Sequence, residues 1–183
     1  MSSENYIIHD QNAVHFLTFT TIDWIDIFTR ASYKIEIINS LEYCQKHKGL
    51  RLFAYCLMTN HLHLVCKVDR TFTLSAFVRD FKKFTAKAIL KKMWEERESR
   101  RSWILEQLRF AGKTDKRITN YKFWQEGCHP IELTSNEMIN QRINYTHENP
   151  VRAMIVEKAE DYIMSSARNY SSLESMLEVE VIR

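Results

Sequence analysis

Glycine and proline are scarce in this chain, three and two residues in 183, which leaves little room for flexible linkers or disordered tracts. No uninterrupted apolar run is long enough to cross a bilayer. Met1-Ser2-Ser3-Glu4-Asn5 lacks the basic-then-apolar layout of a secretory signal, so a cytoplasmic protein with no membrane partner is expected. The four cysteines, Cys44, Cys56, Cys66 and Cys128, show no Cys-x-x-Cys spacing and read as reduced thiols. A net charge of only +3 gives no bulk signal for nucleic acid, so the distribution of charge has to carry that question. What is present is ordinary globular material, 45% hydrophobic and 27% charged. That material suits a single domain over residues 1–183, with a core at about 14–150 and a C-terminal extension at 151–183.

Val14 to Thr21 is rich in β-branched and aromatic residues and predicts a first strand. A helix is expected from Arg30 to Lys48, with Thr29 as N-cap and Gly49 just past its end. Leu52 to Met58 and His61 to Val68 predict two strands joined by a tight Thr59-Asn60 turn, a register that sets Cys56 opposite His63. A second helix opens at Thr73, with Leu74, Phe77, Val78, Phe81, Phe84, Ala88 and Ile89 as its apolar stripe. Trp94 to Lys116 reads as a helical insertion or an extension of the second helix, with a turn near Gly112. Tyr121 to Gln125 reads as a short strand, and Thr134-Ser135-Asn136-Glu137 as a capping box opening a third helix that Pro150 stops. The order β-α-β-β-α-β-α is that of an α+β, ferredoxin-like split βαβ sandwich. It has an antiparallel sheet, helices on one face and an added tyrosine-bearing helix.

Side chains in a strand alternate faces, so His61 and His63 point together while Leu62 and Leu64 point the other way. Two imidazoles on one rigid strand are half of a divalent-metal site, and chance placement explains them equally well. Cys66 points to the opposite face, so a local zinc site lacks its fourth ligand. On the third helix, Tyr145 lies roughly 200° around from Ile143, away from the stripe that faces the core. It shares a face with Asn149 at i+4, and Arg142 lies one turn earlier. That face offers a phenol, an oxygen donor and a cation, although an exposed tyrosine on an amphipathic helix accounts for it as well. On the second helix, Arg79, Lys83, Lys87 and Lys91 recur at i+4 with Lys82 beside them, a face suited to a phosphate backbone or simply to solvent.

The ordered set of words resembles one family. Met58-Thr59-Asn60-His61-Leu62-His63, then Phe123-Trp124-Gln125, then Tyr145-Thr146-His147-Glu148-Asn149-Pro150-Val151-Arg152-Ala153, and finally Glu160 to Tyr170, are similar to the single-tyrosine HUH transposases. These include insertion-sequence and REP-associated tyrosine transposases. The resemblance spans residues 14–170 and departs at Thr59, Thr146 and Ile163-Met164. It implies His61, His63 and Asn149 as ligands of Mg²⁺ or Mn²⁺, with Mn²⁺ favoured by the imidazoles, and Tyr145 as the nucleophile. It implies a 5′-phosphotyrosine intermediate, rejoining of strands, and single-stranded or hairpin DNA as partner. Arg79, Lys82, Lys83, Lys87, Lys91 and Arg142 would bind that DNA. Family members work either as homodimers with shared active sites or as monomers with the tyrosine in cis. Two other classes fit the same residues: a non-catalytic nucleic-acid-binding module, and a metal-dependent phosphodiesterase using water.

Overall fold

A computed structural model of the chain describes residues 8–113 and 120–182. Strand β1 (His15–Thr20) leads through a short 3-10 turn at Ile22–Trp24 to helix α1 (Ala31–His47). Strands β2 (Leu50–Leu57) and β3 (His61–Val68) form the expected hairpin, followed by α2 (Leu74–Glu95), α3 (Arg101–Lys113) and β4 (Ile131–Glu132). Helix α4 (Asn136–His147), a single turn α5 (Asn149–Arg152) and α6 (Ala167–Tyr170) complete the order. The sheet runs β2-β3-β1-β4 with every neighbouring pair antiparallel. That is the split βαβ arrangement the element order calls for.

Alternation along β1 and β3 divides the molecule into two layers. Leu17, Phe19, Leu62 and Leu64 point to one side and bury against Ile37 and Leu41 of α1 and Phe77 and Phe81 of α2. Phe16 and Val65 point to the other side and bury against Ile143 of α4. A bulge between Leu52 and Ala54 inserts Phe53 into β2 and shifts its parity. Phe53 and Ala54 then join the α4 layer, and Cys56 falls opposite His63 as the register predicted. The C-terminal residues lie along the outer edge of β2. Leu57 N–H bonds the Met164 carbonyl at 2.9 Å, Ser166 N–H bonds Tyr55 O at 3.0 Å and Glu180 N–H bonds Leu52 O at 2.8 Å. An otherwise bare edge strand is thereby covered.

Several local expectations are corrected. Arg30, not Thr29, is the N-cap of α1, and no side chain bonds there. Thr73 does cap α2, its hydroxyl accepting from Ala76 N–H. Phe84 leaves the apolar stripe of α2: it is 59% exposed, and Thr85 takes the buried position beside it. The stretch from Trp94 breaks at residues 96–100 rather than at Gly112, which is buried within α3; residues 114–116 lie outside the described residues. Tyr121–Gln125 contributes one bridge, Trp124 to Thr21, and the fourth strand is Ile131–Glu132. Pro150 does not end α4. That helix closes at His147, and Pro150 sits in the first turn of α5, where its missing N–H costs nothing.

Candidate functional site

The site is built where β3 meets α4. His61 and His63 project from β3 into the α4 layer, their ring centroids 4.8 Å apart. Ser135 caps α4 by accepting from Met138 N–H, and Ile143 anchors the helix in the core. Tyr145 is thereby presented to the histidines. Its ring stands edge-on to His63 at 5.5 Å and to Phe16 at 5.8 Å, with 38% of the residue exposed. Asn149, at the start of α5, lies beside the His61 ring. His61, His63, Asn149 and Tyr145 therefore meet within one chain.

Both imidazoles have partners that fix their outward nitrogens. His61 Nδ1 lies 2.7 Å from Asn60 Oδ1, and His63 Nδ1 lies 3.0 Å from Thr18 Oγ1. Thr18 is the residue directly opposite His63 in the β1–β3 ladder. Where Nδ1–H is donated to these oxygens, the lone pair of each ring lies on Nε2, the arrangement a metal-binding histidine needs. Burial pulls His63 down to about 3, helped by His61 and by the positive charges of Arg152 and Arg142; burial also lowers His61, partly offset by the neighbouring Asn149 side chain. Both rings are neutral at neutral pH and available as ligands. Among the described residues no three His, Cys, Asp or Glu side chains cluster as a metal site. Two imidazole nitrogens and a carboxamide oxygen would make a mixed donor set, one that suits a divalent cation with open positions. Cys56, opposite His63 in the ladder, is buried with Met58 and Tyr162, and burial pushes its thiol up to about 12.

Arg142 and Arg152 surround the phenol. The Arg142 guanidinium lies 5.1 Å above Phe16 and 5.7 Å from the Tyr145 ring centroid. Arg152 lies closer, 4.4 Å over the same ring, and its Nη2 donates to the Tyr145 carbonyl at 2.8 Å. Sequence reasoning missed Arg152, although its place directly after Asn149-Pro150-Val151 was a usable signal. It also missed the outer partners Thr18 and Asn60, which only the strand register and turn reveal.

The basic residues of α2 lie elsewhere. Helix α2 packs on the Leu62 and Leu64 side of the sheet, so the sheet separates Arg79, Lys83, Lys87 and Lys91 from the histidines. Lys82 is not part of an exposed face. Its ammonium turns inward, 5.7 Å over Phe19, and donates to the carbonyls of Gln125 and Gly127. Arg79 pairs with Asp80 at 2.9 Å and Lys91 with Glu95 at 3.5 Å. Lys83 and Lys87 are exposed. No helix among the described residues is long and apolar enough to span a membrane.

An antiparallel split βαβ sheet carrying a histidine pair on one face, with a tyrosine helix laid across that face, defines the class of protein. A family model described as "Transposase IS200 like" matches residues 11–106, and the chain belongs to that family, the single-tyrosine HUH transposases. The match contains both histidines and stops short of Tyr145 and Asn149. In fold the chain is similar to a solved structure described as the REP-associated tyrosine transposase bound to a REP hairpin. The TM-score is 0.66 at 14% identity, covering 100% of this chain and 94% of that one. No curated protein matches the chain.

Proposed function

We propose that this transposase cuts and rejoins single-stranded DNA with Tyr145 as its nucleophile. The observation that carries the reading is the convergence, in one chain, of the Tyr145 phenol, two neutral imidazoles and the Asn149 carboxamide beneath two arginines. His61 and His63 through Nε2, and Asn149 through its carboxamide oxygen, would hold Mg²⁺ or Mn²⁺. When bound, such an ion supplies charge that polarises and orients a phosphodiester. Arg142 and Arg152 would bind the same phosphate and offset its charge in the transition state.

The Tyr145 Oη–P bond forms as the P–O3′ bond breaks. The phenol proton leaves to water and the departing 3′ oxygen takes one up, so the step needs no nucleoside triphosphate and no hydrolytic water. The 5′-phosphotyrosine keeps the ester, and another 3′-hydroxyl can reverse the step and join strands. Because Tyr145 already faces His63 of its own chain, a monomer acting in cis accounts for the chemistry. The similar structure's REP hairpin favours a substrate with a hairpin beside its unpaired strand. The α2 face, remote from the cleft, would then meet the folded part of the DNA. Incubation with labelled single strands from the flanks of the chain's own gene tests the reading. A covalent adduct is expected with Mn²⁺ and none with EDTA; a Tyr145→Phe protein that still forms the adduct overturns it.

A further inference from the structure

Beside the histidines stands an aromatic ring that the chemistry above does not use. Trp24 is 56% exposed, and its ring lies edge-on to His61 with centroids 5.7 Å apart. The backbone that presents it is strained. Asp23 and Trp24 both adopt left-handed conformations, φ 49° and 55°, which a bulky non-glycine residue rarely takes. Neighbouring bonds hold the strain in place. Asn60 Nδ2 donates to Trp24 O at 3.2 Å and to Asp26 Oδ1 at 3.0 Å, and Thr59 donates to the same carboxylate oxygen at 2.6 Å. Asn60 also carries the Oδ1 that fixes His61. One side chain thus sets both the ligand tautomer and the indole's position. A large ring held in solvent by strained backbone, beside a ligand-ready histidine, is a platform awaiting a flat partner.

We infer that Trp24 is a base-stacking residue, taking the unpaired nucleobase 5′ to the scissile phosphate. The choice of side rests on the proposed chemistry. Trp24 adjoins His61, whereas Tyr145 adjoins His63, so the two rings flank the imidazole pair at opposite ends. In an in-line displacement the leaving oxygen departs opposite the nucleophile, which puts the nucleotide bearing the new 3′-hydroxyl at the Trp24 end. Indole stacking accepts any base face, so the contact holds the strand without reading its sequence.

The test separates stacking from chemistry. Binding of dT12 and dA12 to the full chain is measured by fluorescence anisotropy for wild type, Trp24→Ala, Trp24→Phe and, as a control, Trp103→Ala on α3, which is also exposed at 50%. Trp24→Ala should weaken both strands about tenfold, with Trp24→Phe within about threefold and Trp103→Ala unchanged. Equal affinity of wild type and Trp24→Ala overturns the inference, while an adduct still formed by wild type leaves the transposase reading standing. A stacking loss with no adduct from any flanking strand overturns that reading, and with it the assignment of side, but not the platform. Once the adduct maps the scissile phosphate, an abasic nucleotide on its 5′ side should weaken wild type about tenfold and Trp24→Ala hardly at all. The same pattern on the 3′ side refutes the assignment.

Discussion

Ser166→Ala should be among the more damaging single substitutions outside the cleft. The Ser166 hydroxyl is fully buried and lies between β2 and the end of α4. It accepts from Tyr55 N–H at 2.8 Å, lies 3.2 Å from Tyr55 O, and meets His147 Nε2 at 2.8 Å. Alanine strands the Tyr55 N–H and the His147 nitrogen in a site that water does not reach. At about 1–3 kcal/mol for each stranded group, partly relieved by relaxation, the loss comes to about 3 kcal/mol. For a chain of this size that lowers Tm by roughly 6–12 °C. Thermal unfolding followed by far-UV circular dichroism measures it. In a His147→Ala background the same replacement should cost about 1 kcal/mol less, because only Tyr55 is then stranded. A Tm within 2 °C of wild type, or strict additivity in the cycle, refutes the reasoning.

Other outcomes follow from the same geometry. Asn60→Ala should weaken Mn²⁺ binding about 10–100-fold by calorimetry, since His61 loses the acceptor that fixes its tautomer; unchanged affinity removes Asn60 from the site. His147 sits well below its ordinary 6.5, pulled to about 4 by burial, so the unfolded chain binds its proton first. The stability this ring contributes is complete above pH 6.5 and falls by roughly 3 kcal/mol as the pH drops toward 4. Urea midpoints in metal-free buffer should show that loss in wild type and less of it in His147→Gln; an equal loss in both contradicts the assignment. Replacing Lys83 and Lys87 together by alanine should lower the log–log salt slope for hairpin-bearing DNA by about 1.5, while leaving a 12-nucleotide single strand unaffected. No change on hairpin DNA removes α2 from the DNA-binding surface.

Strands β1 to β3 and helices α1, α2 and α4 were legible because their signals are local, whereas β4, two residues at Ile131–Glu132, is too short to carry a strand pattern. A β-branched and aromatic run marked β1, alternation marked β3, Thr73 marked one N-cap, and the two-residue turn at Thr59-Asn60 set the β2–β3 register; the Thr134–Glu137 box found the start of α4 but the cap is Ser135, one residue on. The alternation that paired His61 with His63 was equally plain in the chain. Their meeting with Tyr145 and Asn149 was not, because it depends on α4 crossing one particular face of the sheet. Only the resemblance of the words around those residues joined them beforehand. Two errors have a shared cause. Lys82 and Phe84 were sorted by periodicity on an isolated helix, yet the 125–127 loop draws Lys82 inward and Phe84 is left exposed. Trp24 escaped notice because a single tryptophan in a turn has no period. Its meaning lies in a backbone conformation that the sequence does not display.

The central claim is that Tyr145 takes the 5′ end of the broken strand. An oligonucleotide labelled at its 3′ end, and a second labelled at its 5′ end, are each incubated with the protein and Mn²⁺ and resolved under denaturing conditions. The account predicts that label stays with the protein only from the 3′-labelled strand, that the linked peptide contains Tyr145, and that Tyr145→Phe retains none. Label retained from the 5′-labelled strand, or a linked peptide lacking Tyr145, would contradict it.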